Sequence, residues 1–317
     1  MAQPRHDVFS RNEMNKTGPR PLLLGYALAL TGGLTLTFDI PTLRLADANL
    51  ASALLFRSML EVLAAIGIWA VWRSLRKDAP PLIPGWHGLL VSLFYGTGSI
   101  VFVTGVVASA DEGATGAMLF LLATSPLIAA LLAFFFLGER PAPATWIALI
   151  LVLLGVGLIV GNPTAGSGFV KLCGFGVASL IAGAITVSRW SGKSMGFTPL
   201  IACVLPALMG GMMLVDGETA PEVGSWFWLA VNGAITLPIA FFCLAQAPRY
   251  IPAPQAALFY LLETTIAPIW LFLIFGEGIT PLSLLGGALI VGAVAFDTVC
   301  QIRRRRRERR TVPFRGA

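Results

Sequence analysis

Phe120-Leu-Leu-Ala-Thr124-Ser125 and Tyr260-Leu-Leu-Glu263-Thr264-Thr265 are two versions of one word, 140 residues apart. Each opens a long apolar run, and each run stops at the same dipeptide, Gly138-Glu139 in the first case and Gly276-Glu277 in the second. The second pair stands at an offset of 138, so two residues are lost inside the shared helix, and Pro143 and Pro281 match beyond it in that register. At the front of each half, Gly25-Tyr26 and Ala29 pair with Gly174-Phe175 and Ala178. The chain therefore reads as a duplication, with halves at 22–161 and 172–300.

What each half contains follows from hydropathy. Of 317 residues 56% are hydrophobic and 12% charged, with mean hydropathy +0.80. That is about half the charge of a soluble globular chain. About 20 apolar residues are needed to cross the hydrocarbon core as a helix. Ten such stretches are present, near 22–40, 51–72, 86–109, 114–137, 144–161, 172–190, 198–215, 226–246, 254–275 and 281–300. Unsatisfied backbone groups are too costly in lipid for open strands, so the spans are helices. Five per half is an odd number, and an odd repeat must insert upside down relative to its copy. The expected fold is an all-α membrane protein of ten transmembrane helices, built as two inverted five-helix repeats, the arrangement typical of secondary transporters.

Charge placement orients this array. All but three of the 22 Lys and Arg residues fall in the 1–21 tail, in alternate loops, or in the 301–317 tail with its run Arg303–Arg307. The opposite loops hold Arg44 and Lys171, together with Asp47, Asp111, Glu112, Asp216, Glu218 and Glu222. Under the positive-inside rule both termini are cytoplasmic, in a cell inner membrane. The polar first 20 residues carry no apolar stretch of signal-peptide type. The basic excess of +6 is thus a topology signal, and nucleic acid is excluded as a partner. Lipid and a small-molecule substrate are the expected partners, with a homodimer allowed. Four cysteines in or beside apolar runs and two histidines give no metal-ligand pattern, and no cofactor is expected.

The double pattern Phe120…Pro126…Gly138-Glu139-Arg140 and Leu261-Leu262-Glu263…Pro268…Gly276-Glu277 resembles the drug/metabolite transporter superfamily, EamA type. The second copy departs from it in having Gly278 where the first has Arg140. The resemblance covers 22–300 and implies alternating-access export or exchange of amino acids, metabolites or drugs. Its motifs identify no substrate.

Ionisable residues inside spans are expensive and need a partner or a role. Arg57 and Glu61 lie one helical turn apart and neutralise each other, or Arg57 pairs with Asp39; alternatively Arg57 clamps a substrate carboxylate. Glu263 falls near the middle of the ninth span, where its repeat-mate is Ala123. It holds a cationic group, cycles a proton, or makes a structural hydrogen bond to a neighbouring helix. Gln255 and Phe259 share its face, and Tyr260 flanks it. Thr124 and Ser125 are expected at the same depth, and Tyr95 and Tyr260 to line the cavity. Pro126 and Pro268 mark kinks that pack or gate. Asn232 and Gln246 are weaker candidates of the same kind. No phosphate-binding Gly-x-x-x-x-Gly-Lys-Ser/Thr loop is present, so an ATP-driven pump is excluded. A membrane-embedded enzyme is disfavoured because no nucleophile–base pair or carboxylate pair falls at midplane.

Overall fold

The computed structural model describes residues 19–75, 81–138, 142–162, 165–191, 195, 197–216, 220–247, 250 and 253–311. Among them nine helices are long and apolar enough to cross a bilayer: α1 (Leu23–Leu45), α2 (Leu50–Leu75), α3 (Gly85–Glu112), α4 (Thr115–Leu137), α5 (Pro143–Val160), α6 (Gly168–Ser191), α7 (Thr198–Val215), α8 (Trp226–Leu244) and, after α9, α10. The ninth in chain order is α9 (Ala253–Phe275), and α10 runs Pro281–Thr311. The sequence spans are thus all present, with two differences. Helix α6 begins four residues before the expected 172, so Lys171 sits in its first turns, held by the Val160 and Asn162 carbonyls. Helix α10 continues through the arginine run to Thr311, because Arg is a good helix former and nothing breaks the chain there.

The packing is what an inverted pair of repeats requires. Exchange of the two halves maps α1 onto α6, α3 onto α8 and α4 onto α9. The two closely packed pairs α3–α6 and α1–α8 are images of each other, as are α4–α6 and α1–α9. Helices α5 and α10 pack on one another across the repeat boundary, as α2 and α7 do. Close approach depends on missing side chains. A Cβ on Gly155 would lie 2.6 Å from the Gly286 carbonyl oxygen, and one on Gly286 would lie 2.7 Å from that of Gly155. In the same antiparallel register, two turns along each helix, stand the buried Ala148 and Ala293.

One detail of the duplication differs from the sequence reading. A Cβ on Gly33 would strike the Phe259 carbonyl of α9, and one on Gly174 would strike the Met118 carbonyl of α4. Equivalent contacts therefore pair Gly33, and not Gly25, with Gly174. Glycine and alanine are frequent enough in α1 that a short word match slipped by two turns.

Three spans are broken and two are wound more loosely. Helix α1 opens at Thr37–Phe38, α4 at Ala123–Thr124 and α7 at Ala202–Cys203. Helix α2 contains a π-helical stretch at Ala53–Arg57, and α8 one at Val231–Thr236. Stretches of this kind are rare and cluster at functional sites.

Candidate functional site

The break in α1 and both π stretches converge on one buried knot of side chains. Asp39 begins the second piece of α1, where the helix N-terminus favours a carboxylate. Arg57 closes the π turn of α2 and is 3% exposed, while Asn232 lies in the π turn of α8 and is 0% exposed. Arg57 Nη2 donates to both Asp39 carboxylate oxygens at 3.1 and 3.3 Å, and Arg57 Nε donates to Asn232 Oδ1 at 2.7 Å. Asn232 Nδ2 lies 2.8 Å from the Asp39 carbonyl, 2.9 Å from Asp39 Oδ1 and 2.8 Å from Thr42 Oγ1. Gly233 lets α8 come this near, since a Cβ there would sit 2.5 Å from the Arg57 carbonyl oxygen. Of the two pairings open to Arg57 in the sequence, the structure makes the one with Asp39. The Asn232 amide helps to hold such a pair in a dry interior by bonding Arg57 Nε and Asp39 Oδ1, while Arg57 Nη1 is buried without a hydrogen-bond partner.

Around the knot stand further polar groups from both repeats. Glu61, 1% exposed, is coupled electrostatically to Arg57 and packs against Cys203 of α7. The Cys203 thiol donates to the Pro199 carbonyl at 3.8 Å. Glu263 of α9 is half-buried and is coupled to Asp39 and Arg57. Tyr260, one turn below it, is coupled to Glu263 and to Tyr95 of α3. Tyr260 is nevertheless 41% exposed. Tyr95 of α3 lies close enough to Tyr260 for the two phenols to interact. Each of Tyr95 and Glu263 stands ten residues into its helix, about 15 Å at 1.5 Å per residue and half the depth of the hydrocarbon. Two turns above Glu263, Trp270 stacks on Phe38 with centroids 4.9 Å apart, and Trp270 Nε1 donates to Thr37 Oγ1 at 3.2 Å.

Not every expected residue joins this site. The Thr124 hydroxyl turns back to the Leu121 carbonyl at 2.7 Å, capping the break in α4, and is 1% exposed. Ser125 is half-buried and begins the next helical piece. Among the described contacts neither hydroxyl reaches the knot. Pro126 stands in the first turn of that piece, where its missing N–H costs nothing, so it starts a helix and frees no carbonyl. Pro268 is inside α9, buried, as expected of a kink. The side chain of Gln255 and residues Glu139 and Arg140 lie outside the described residues.

A second polar cluster closes the end of the bundle that carries the acidic loops, and sequence reasoning missed it. Arg44 at the end of α1 pairs with Glu277, which follows α9 and is 8% exposed. Glu277 also accepts the Thr115 backbone N–H at 2.6 Å at the start of α4, and Ser109 Oγ donates to Thr115 Oγ1 at 3.0 Å. The Arg44 guanidinium lies 4.3 Å from the centre of the Phe275 ring. Beside it the 46–49 loop is stitched to the 220–225 loop. Asn49 N–H donates to Glu222 O at 3.1 Å, Gly224 N–H to Asp47 O at 2.9 Å and Ser225 N–H to Ala46 O at 2.9 Å. A cleft of ≈ 20 Å³ between Gly113 and Ser283, about one water's worth, lies beside Glu277. The signal in the sequence was the acid at a helix end with one arginine, Arg44, on the wrong side of the membrane.

Comparison with known proteins agrees with this architecture. The model of the EamA-like transporter family matches residues 23–161 and 170–298, once for each repeat. An uncharacterized transporter, YdfC, of Bacillus subtilis (strain 168) is 28% identical over 56% of this chain and 60% of its own length. An uncharacterized transporter of Archaeoglobus fulgidus is 27% identical over 50% of this chain and 58% of its own length. The matched region thus spans under two thirds of either relative. A solved crystal structure covers 90% of this chain and 97% of its own at TM-score 0.58 and 19% identity, which shows a shared fold. With both repeats matched by one model and paired in space as inverted images, the chain belongs to the EamA-like transporter family.

Proposed function

We propose that this protein is a secondary transporter that exports a small solute across the cytoplasmic membrane by alternating access, in exchange for protons, with both termini in the cytoplasm. The observation that carries the reading is the Asp39–Arg57–Asn232 knot with Glu263 beside it. It lies at half depth on the seam where α1 and α2 of one repeat meet α8 and α9 of the other, where inverted-repeat carriers place their sites. The Arg44–Glu277 pair and the stitched 46–49 and 220–225 loops close the acidic end. Tyr260 stands nearer the arginine-rich end of α9 than Glu263 does, and we read its exposed surface as the wall of a vestibule open on that side. With that side cytoplasmic, the state is inward-facing.

The chemistry then follows from the groups present. Glu263 is reached from the vestibule and holds either the solute or a proton, not both. Solute arriving from the cytoplasm displaces the proton, the halves rock about the seam, and the Arg44–Glu277 pair parts. Release outside leaves Glu263 to take up a proton for the return. Asp39 and Arg57 stay paired throughout and hold the α1 break against the two π turns.

The test is proton flux in proteoliposomes with a trapped pH dye, using solutes selected by thermal-shift screening. A solute moved by the wild type should release protons, and Glu263→Gln should abolish that release in a protein that remains folded and monodisperse. Solute flux that ignores the pH gradient and survives Glu263→Gln would remove the proton and this carboxylate from the mechanism.

A further inference from the structure

We infer that the solute taken by the central site is an organic monocation, a protonated amine carrying an apolar or aromatic body. The inference rests on the carrier reading above and names what that same site holds. Three carboxylates, Asp39, Glu61 and Glu263, surround one guanidinium, Arg57, among the described residues of the knot. Their availability differs. Asp39 is 4% exposed and is taken up by Arg57 and Asn232; Glu61 is 1% exposed and enclosed by Arg57 and Cys203. Glu263 is accessible, and among the described residues its carboxylate accepts no hydrogen bond; its charged neighbours are Asp39 and Arg57. Among the described residues of the knot, an anion meets no free cation. Two of the three guanidinium nitrogens of Arg57 are bonded, and the third, Nη1, is buried out of reach. The arginine is therefore part of the wall, and the surface offered to solute is a carboxylate.

What flanks that carboxylate suits the body of such a cation. Tyr260 stands three residues before Glu263 on α9 and Trp270 seven after it, both spacings that share a helix face. Tyr95 faces Tyr260 from α3, and Phe38 lies on Trp270. Aromatic faces attract an ammonium group through their quadrupoles, and more strongly where water is excluded. A metal ion does not fit, because no group of three metal-ligating side chains exists among the described residues.

Four probes of one shape separate the charge classes: 2-phenylethylamine, 2-phenylethanol, 3-phenylpropionate and phenylalanine. Calorimetric titration of the purified full chain should give an amine affinity about tenfold above that of the alcohol. No saturable binding of the carboxylate is expected, and Glu263→Gln should bring the amine to the level of the alcohol. Binding of the carboxylate or zwitterion as tightly as the amine overturns the inference and shows that Arg57 Nη1 becomes reachable. So does binding of none of the four, or amine binding indifferent to Glu263→Gln in a folded protein. If that variant does not fold, the wild-type ranking decides alone. Amine that binds but never crosses a proteoliposome membrane would sink the carrier reading and leave this one; carboxylate that crosses would do the reverse.

Discussion

Substituting Glu277→Gln should loosen the acidic end by a predictable amount. Glutamine keeps the size of the side chain and an oxygen to accept the Thr115 N–H, but it leaves Arg44 without its counter-ion. Removing one partner of a buried pair costs about 3–5 kcal/mol because the other charge is stranded. The Arg44 side chain is 13% exposed and still lies on the Phe275 ring, so the lower figure, about 3 kcal/mol, is appropriate. On the alternating-access reading, that cost falls only on the state in which this end is shut, since an open end hydrates the arginine. At about 1.4 kcal/mol per decade, the shut-to-open ratio should fall roughly 100-fold. Ser109, 0% exposed and bonded to Thr115 behind the pair, is the place for a reporter. In an S109C background, labelling by an impermeant maleimide from outside should be slow. Adding Glu277→Gln should raise the rate by about two orders of magnitude, in line with that population shift. Arg44→Gln together with Glu277→Gln should cost less than either alone, because no charge is then left stranded. A labelling rate within twofold of the parent, in a folded protein, would refute the reasoning and make the pair a static brace.

Other outcomes are equally open to measurement. Gly286→Ala places a methyl 2.7 Å from the Gly155 carbonyl, so α5 and α10 must separate, and the melting temperature in detergent should fall by several degrees. Asn232→Leu leaves Arg57 Nε unpaired in a dry interior and takes one of two donors from Asp39 Oδ1, and should destabilise by about 1.5–3 kcal/mol, read as lost monodispersity or early melting. A reporter fused after Ala317 should label from the cytoplasm alone; labelling from outside alone would contradict the arginine placement.

The frame was legible because lipid leaves the chain few options. Ten apolar runs, an odd count per half and asymmetric arginines lead to inverted repeats with almost no recourse to local propensity. Asp39, Arg57, Glu61 and Glu263 were legible for a related reason: a charge in a span is too costly to be idle. The remainder depends on registers that hydropathy does not encode. Asn232 and Cys203 are cheap to bury, so the sequence marked Asn232 only as a weaker candidate and Cys203 not at all, until two π turns and the α1 break brought α2, α7 and α8 together. Thr124 failed for the opposite reason. Its depth was right, but a break in the helix gave its hydroxyl a carbonyl of its own. Glu277 looked like a helix-end acid, and only the fold brings Arg44 to it across more than 200 residues of chain.

The same register shows why the two ends of this carrier are not equivalent. If Gly33 corresponds to Gly174, a shift of 141 residues places Ile185 where α1 has Arg44 and Leu180 where it has Asp39. Helix α6 carries an arginine of its own one turn beyond, Arg189, and Glu139, the repeat-mate of Glu277, lies outside the described residues, so the latch is described at the acidic end alone. Closing that end joins a guanidinium to a buried carboxylate. At the position of α6 equivalent to Arg44 stands isoleucine, so the two ends are not side-chain copies of one another. On the alternating-access reading proposed above, solute binding must supply the free energy that parts Arg44 from Glu277.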